Sequence, residues 1–507
     1  MPSIALEHLD NYDDPIQLSS DQISTIAIIG GGASGAIALD SLLKEKPSNF
    51  SKITLFERRK VLGGVWALDE KTIETPNQII KSGLTSIVTD PQLVNPFHSK
   101  SSSSKSEKFI ITNKTTQERF EETPSYANIK TNIIEKMMTY SDTNRWEVPG
   151  VEDPEQRKYV DGLIVQKYID KYISRNLSND KVQLFTNSTI EDVERIPSEH
   201  KQIPYKFRLT IRSNLNQDQD IWYQEEFDSV IIATGHYHVP FIPYVKGLNI
   251  LQEQFPKVIQ HAKFYLDPKP YKDEKVLIIG SRASGADLSK FIADEAIEVY
   301  QSIRNLENTK KLSKKANIIT KPIIKEYVIL PDNSGFKVLF DDDSELINPD
   351  HIIYATGYEF SFPFLNRLTN NQIVEDGRII PHAYQHTFLI NEPLITFVGV
   401  PIDGISFRVF EYQAITVSRY LSGKIALPSR TDQKQWITNR LNEKGITRAY
   451  HTIGVVDAQE YLSGLVKLGE INQEKLNQGR QYPVLTVQDI LDYRSAGELL
   501  RKFWDER

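Results

Sequence analysis

Two glycine-rich turns, far apart in the chain, restrict this sequence more than any other feature. The first is Thr25-Ile-Ala-Ile-Ile-Gly30-Gly-Gly32-Ala-Ser-Gly35 and the second is Lys275-Val-Leu-Ile-Ile-Gly280-Ser-Arg282-Ala-Ser-Gly285. Each lies between a short apolar run and a helix-like run. An unbroken apolar run such as Ile26–Ile29 suits a parallel strand buried on both faces. One such turn holds one dinucleotide. Two of them predict two dinucleotides face to face, the layout of an enzyme that moves electrons from a nicotinamide to a flavin.

In the first turn, Gly30 permits the bend, Gly32 lets backbone approach a pyrophosphate, and Gly35 lets the following helix pack on the strand. That helix, Ala36 to Lys46 in the sequence pattern, aims its N-terminal N–H groups and dipole at the phosphates. An acid belongs about 20 residues further on. Glu57 is there, closing the run Lys52-Ile-Thr-Leu-Phe-Glu57. A carboxylate accepts from ribose hydroxyls and repels a 2′-phosphate, so this site takes FAD or NAD, not NADP. The bland alternative is an empty nucleotide fold with Glu57 solvated.

The second turn leads to Val299-Tyr-Gln-Ser302-Ile-Arg304, with no acid in the matching place. Arg304 is a planar, permanent cation that pairs well with phosphate. Together with the Ser302 hydroxyl it favours the 2′-phosphate of NADPH. A basic stretch follows, Lys310, Lys311, Lys314, Lys315 and Lys321, most of which read as a solvated surface loop and not as ligands. Arg282 stands at the middle glycine position. Either it crowds the pyrophosphate, or its side chain swings out and adds charge.

With 507 residues and 58.1 kDa, the chain is long enough for about two or three domains. Its net charge of −7 argues against a nucleic-acid partner. No apolar stretch approaches the roughly 18 residues that span a bilayer. The polar N-terminus lacks a targeting pattern and the C-terminus lacks a lipidation signal, so the expected address is cytoplasmic. A peripheral membrane contact through the tail, and a homo-oligomer, stay open. The sequence contains no cysteine. That excludes the dithiol relay of the disulfide reductases, which also carry two dinucleotide folds. A diffusible acceptor must therefore take the flavin's electrons, and dioxygen is the obvious one.

Strand–helix alternation predicts an α/β protein. The expected organisation is a larger FAD domain (residues 1–238 and 347–507) interrupted by a smaller NADP domain (residues 239–346), both Rossmann-like. Two similar strands, Val230-Ile-Ile-Ala-Thr-Gly235 and His351-Ile-Ile-Tyr-Ala-Thr-Gly357, end on Ala-Thr-Gly. The second is expected to mark the return to the first fold. The stretch from His98 to Glu107 is a low-complexity surface loop. A helical tail from about Pro428 packs outside or forms a subunit contact. His98, His382 and His386 read as surface or hydrogen-bonded core residues. Asp341, Asp342 and Asp343 read as a solvated turn, and no metal site is expected.

With these motifs in view, the chain resembles the flavin-containing monooxygenases, most closely their fungal branch, over about Ile26 to Leu462. Phe255-Pro-Lys257-Val-Ile-Gln-His261-Ala-Lys-Phe-Tyr265 is similar to the family signature FxGxxxHxxxY, with Lys257 in place of glycine. Glu57-Arg-Arg-Lys-Val-Leu-Gly63-Gly64-Val-Trp66 is similar to its acid followed by GGxW, and Tyr126-Ala-Asn-Ile129-Lys-Thr131-Asn132 to its YxxLxTN. Phe397-Val-Gly399 with Glu411, Gln413 and Ala414 downstream is a fourth match.

The resemblance implies that Gly30, Gly32, Ala33, Ser34, Gly35, Glu57, Arg58, Gly64, Val65 and Trp66 hold FAD, with Thr131 and Asn132 beside its ring. It implies that Gly280, Ser281, Ser284, Gly285, Ser302 and Arg304 hold NADPH, and that His261 and Tyr265 position the interdomain joint. The implied activity is NADPH- and O2-dependent oxygenation of soft nucleophiles (thiols, sulfides, amines) through a C4a-hydroperoxyflavin, the substrate being a small molecule. Asn132 is the candidate catalytic side chain, because its neutral amide both donates and accepts. Its alternative is a turn or helix-cap Asn ahead of Ile133-Ile134-Glu135. Two other functions stay open. A Baeyer–Villiger-type oxygenase is disfavoured by Tyr265, where such enzymes resemble one another in having tryptophan. A non-turnover flavin and NADP sensor is suggested by the departures at Lys257 and Arg282.

Overall fold

The apolar runs that flank the glycine turns become the central strands of two parallel sheets. The computed structural model describes residues 16–68, 92–99, 108–115, 120, 122–153, 158–198, 205–306, 315–331, 334–403, 406–454, 457–470 and 479–505. Lys310, Lys311, Lys314, residues 100–107 of the low-complexity stretch and the residues before 16 lie outside this set.

The first sheet has seven strands. Its parallel part runs Ile395–Phe397, Ser229–Ile232, Thr25–Ile29, Lys52–Phe56 and Val182–Phe185 in spatial order. Ala383–Tyr384 and Phe388–Leu389 extend one edge as antiparallel strands. Ile26, Ala27 and Ile28 have no solvent exposure, as befits a strand covered on both faces. The helix Ala33–Lys44 packs on one of those faces through Ala36, Ile37, Leu39 and Leu42. A four-stranded antiparallel sheet (Phe109–Asn113, Gln219–Phe227, Tyr205–Asn214, Ser188–Pro197) adds Phe207, Leu209 and Ile211 to the same core.

The second sheet is parallel throughout, in the order Ile259–His261, His351–Tyr354, Lys275–Ile279, Glu298–Ser302 and Ile318–Lys321. Alternate residues serve two separate clusters. Leu277 and Ile352 face one, with Phe336 and Val338, while Val276, Ile278 and Ile353 face the other, with Leu288 and Ile292. This is the period-2 signature of a strand.

One expectation is corrected here. His351–Tyr354 does not mark the return to the first fold, because it is hydrogen-bonded between Ile259–His261 and Lys275–Ile279 in the second sheet. Its Ile352 and Ile353 are fully buried, one on each face. The chain passes back only after Gly357. There Tyr358–Glu359 pairs antiparallel with Val239–Pro240, so the outgoing and returning connections lie side by side. The Phe241 N–H donates to the Gly357 carbonyl at 2.9 Å and extends this short ladder.

Beyond residue 400 the chain is mostly helical, with helices Ser406–Leu421, Arg430–Lys444, Ala458–Leu468 and Val487–Asp505. Ser429 caps the second of these by accepting the Asp432 N–H at 3.1 Å. Asp341, Asp342 and Asp343 form an exposed turn. Among the described residues no helix is long and apolar enough to cross a membrane.

Candidate functional site

Gly30 has φ 113°, which favours glycine, and a Cβ there would lie 2.6 Å from the Ala233 carbonyl oxygen. A Cβ on Gly35 would run into the Gly30 carbonyl. Gly32 faces Gly64 backbone to backbone, its Cβ position 3.3 Å from the Gly64 Cα. The helix Ala33–Lys44 has no side-chain cap at Gly32 and no acid in its first turn. Its first N–H groups therefore lack the partners a helix start normally recruits. An uncapped helix start with side-chain-free backbone before it fits the pyrophosphate of a dinucleotide.

Glu57 does more than the sequence suggests. It is buried at 4% exposure. Its Oε2 accepts the Gly31 N–H at 2.7 Å and its Oε1 accepts the Arg59 N–H at 2.9 Å. The carboxylate thus braces the glycine turn, and each oxygen keeps a further lone pair for a ribose hydroxyl. Gly64, Val65 and Trp66 form one 3-10 turn. The Gly63 N–H donates to the Gly31 carbonyl at 3.0 Å, which docks that turn on the first one. Arg58 lies 3.4 Å from His238 Nε2 and donates to the Phe120 carbonyl at 3.4 Å. A third wall comes from Gly399. Its N–H donates to Gln413 Oε1 at 2.9 Å, and with φ 97° it presents bare backbone to Ser34.

The Tyr126–Asn132 segment reaches over the second sheet. The Tyr126 hydroxyl donates to Asp287 Oδ2 at 2.7 Å, on the helix Ala283–Ile292, and its ring meets Tyr265 edge to face at 5.6 Å. Asn128 takes φ 62°, a left-handed turn that asparagine tolerates. Thr131 is buried, and its hydroxyl accepts the Val160 N–H at 3.1 Å. Asn132 is exposed. It caps no helix, since the 3-10 turn Glu135–Met137 starts from Ile134 without a side-chain cap.

The second turn repeats the first. Gly280 has φ 121°, and a Cβ there would lie 2.5 Å from the Ala355 carbonyl oxygen. Gln301 Nε2 donates to the carbonyls of Gly280 and Gly285 at 2.9 and 3.1 Å and braces the turn as Glu57 does the first. The helix Ala283–Ile292 also starts with no side-chain cap and no acid in its first turn. Ser281 is exposed and Ser284 half-buried at that start, so this end fits a second pyrophosphate. Ser302 departs from its expected place. It is buried, and its hydroxyl donates to the Pro322 carbonyl at 2.8 Å. Arg304 is exposed just beyond it.

Arg282 swings out. It does not fold over the glycine turn, because Nη1 donates to Asp403 Oδ2 at 2.8 Å. Asp403 belongs to the first fold, four residues after Gly399. Lys257 lies in an exposed turn, where a side chain meets no obstacle.

Two buried imidazoles stand beside the two Ala-Thr-Gly ends. His261 Nδ1 accepts the Lys263 N–H at 3.1 Å, so the proton sits on Nε2, which donates to the Gly357 carbonyl at 3.0 Å. Burial holds its pKa down at about 3, so it is a neutral strut. His236, which the sequence reading did not single out, follows the first Ala-Thr-Gly. Burial, with Arg448 nearby, lowers its pKa to about 3. Its only sequence signal is the Ala-Thr-Gly before it.

Similarity to known proteins agrees with this geometry. Residues 27–237 match a family described as FAD-NAD(P)-binding, and residues 223–399 match one described as pyridine nucleotide-disulphide oxidoreductase. The chain has no cysteine, so the second match reflects the dinucleotide scaffold and not a dithiol. The flavin-containing monooxygenase FMO GS-OX-like 6 of Arabidopsis thaliana is 30% identical over 407 residues, 80% of this chain and 73% of that protein. The flavin-containing monooxygenase ustF2 of Aspergillus flavus is 23% identical over 470 residues, 86% of this chain and 90% of that protein. The solved structure of S-allyl-L-cysteine S-oxygenase from Allium sativum shares the fold, with a TM-score of 0.68 at 24% identity, covering 94% of this chain and 93% of that one.

Proposed function

Because this chain belongs to the flavin-containing monooxygenase family and uses FAD and NADPH, we propose that it oxygenates a small soft nucleophile: a thiol, a sulfide or an amine. One oxygen atom of dioxygen enters the substrate and the other leaves as water. NADPH supplies two electrons, and its hydride together with one solvent proton accounts for the water's hydrogens. Bound FAD supplies the relay between NADPH and dioxygen, chemistry that no side chain of this protein offers.

One relationship carries the proposal. A single loop ties the two glycine turns together. Ser34, at the start of the first-turn helix, abuts Gly399, and the loop that follows Gly399 reaches Arg282 of the second turn through Asp403. Two nucleotides held by these turns would be brought together by that loop. The protein's own work is then binding and shielding. Gly32 and Gly64 leave room for a pyrophosphate, Glu57 holds the turn and accepts from ribose, and the exposed Asn132 amide is free to hold an oxygen or an amide by donating and accepting. A site that excludes water keeps the activated oxygen for the substrate.

The test is NADPH oxidation by the purified yellow protein under air, with and without cysteamine or a tertiary amine. Faster oxidation with the nucleophile, an oxygenated product and little hydrogen peroxide in its absence are expected. Abundant peroxide regardless of substrate makes the protein an oxidase. No NADPH loss makes it a binding protein without turnover.

A further inference from the structure

Beside the second turn, two guanidinium groups and one carboxylate gather around Tyr237. Arg282, from the turn itself, is paired with Asp403. Arg448 approaches from the 3-10 turn Arg448–Tyr450, its Nη1 2.7 Å from where a Gly357 Cβ would stand. Tyr237 lies within electrostatic reach of Arg448, Asp403 and Arg282 together. Arg448 makes no ion pair among the described residues, and its Nε is buried without a hydrogen-bond partner. Two cations and one anion leave an excess positive charge beside Tyr237, and Arg282 is itself the residue from which the uncapped helix Ala283–Ile292 starts.

An exposed ion pair is a weak contact. The side chains of Arg282 and Asp403 are 72% and 45% exposed, a setting in which such a pair contributes about 0–1 kcal/mol. A pyrophosphate offers the same guanidinium a charge-assisted, bidentate partner. Exchanging one for the other therefore costs little. Arg448 has no partner to give up.

We infer that Arg282 and Arg448 form a two-armed clamp for the pyrophosphate of the nicotinamide coenzyme, and that Asp403 holds Arg282 aside until the coenzyme arrives. The residue at the middle glycine position is thus a gated ligand and not an obstruction. The clamp rests on the proposal that the second turn takes NADPH, and the experiment separates the two.

The experiment is calorimetric titration of the FAD-loaded enzyme with NADP+, which reads binding without turnover. Asp403→Asn is expected to tighten NADP+ by about two- to fivefold, the worth of an exposed ion pair. Structural damage does not produce a gain. In an Arg282→Ala background the same change is expected to do nothing. Arg448→Gln is expected to weaken NADP+ by about tenfold or more, as for a lost charged hydrogen bond, with Arg448→Lys recovering part of it and FAD content unchanged. Unchanged or weaker binding in Asp403→Asn, or equal tightening with and without Arg282, overturns the clamp alone. A wild-type enzyme that keeps FAD but binds no NADP+ overturns the coenzyme proposal with it.

Discussion

His451 and His386 share a proton across 3.0 Å, Nδ1 to Nδ1, inside the first fold. The direction follows from the backbone. His451 Nε2 accepts the Ile380 N–H at 2.9 Å, so its proton is on Nδ1 and is donated to His386. His386 then carries its own proton on Nε2. Both rings are fully buried, and burial keeps both well below the ordinary histidine range, with Arg440 adding to the effect at each.

Acid should therefore unfold this protein early. His236, His261, His386 and His451 stay neutral in the folded chain, while the unfolded chain takes up protons below the usual value of 6.5. The folded pKa is the lower one, so stability is complete above about 6.5 and falls as pH drops toward the folded values. Each such group adds a slope approaching about 1.4 kcal/mol per pH unit. Melting temperatures measured between about pH 8 and pH 5 check this, and a flat profile refutes it.

Arg480→Met should destabilise the first fold. Arg480 Nη2 donates to Glu411 Oε1 at 2.6 Å and to Asp142 Oδ1 at 2.9 Å, and Nη1 reaches Asp40 of the first-turn helix. Asp40 and Glu411 are 1% and 0% exposed. Half-burial pushes the Asp142 carboxyl upward, but hydrogen bonds from Arg480, Lys44 and Arg175 outweigh it and hold the group well below the usual range. Removing one partner of such a network leaves buried charge uncompensated and costs about 3–5 kcal/mol. Denaturant titration reads the loss, and a change under about 1 kcal/mol contradicts it.

Gly399→Ala should lower FAD occupancy. The new methyl group runs into Ser34 and the residue keeps φ 97°, a combination that stores about 1–3 kcal/mol of strain. The ratio of flavin to protein absorbance after purification is the measurement, and full occupancy in the variant speaks against Gly399 as part of the cradle.

Asn132→Ala should keep FAD and NADPH oxidation but lose product. The side chain is exposed and caps nothing, so its removal leaves the fold alone. Product formed per NADPH consumed is the readout, expected to drop by about two- to tenfold for a lost hydrogen bond. An unchanged yield removes Asn132 from the mechanism.

Arg304→Ala should raise the KM for NADPH by about tenfold, as for a lost charged hydrogen bond, and leave that for NADH nearly unchanged. Equal effects on the two coenzymes refute contact with the 2′-phosphate.

The features visible in the sequence were those written in neighbouring residues. Both glycine turns, the strands before them and the helices after them depend on local spacing, and Gly30 and Gly280 have the positive φ that this spacing implies. Partnership across the chain was not visible. His351–Tyr354 reads like Ser229–Ile232, and nothing in four apolar-rich residues says which sheet will accept them. Arg480 meets Asp40 from the far end of the sequence, and the destination of Arg282 depends on a loop that no spacing rule connects to it. Ser302 shows a different limit. Its position in the motif was readable, but its hydroxyl is turned toward Pro322 by the neighbouring strand.

Val239–Pro240 and Tyr358–Glu359 run beside each other as two rungs. No strand of the seven-stranded sheet comes from between them. The chain between these rungs thus leaves and re-enters the first fold through one doorway, hung on a single jamb. Tilting it bends both connections in step, and a genetic cassette cut at the two rungs lifts out that lobe whole, ready for exchange with the lobe of a relative.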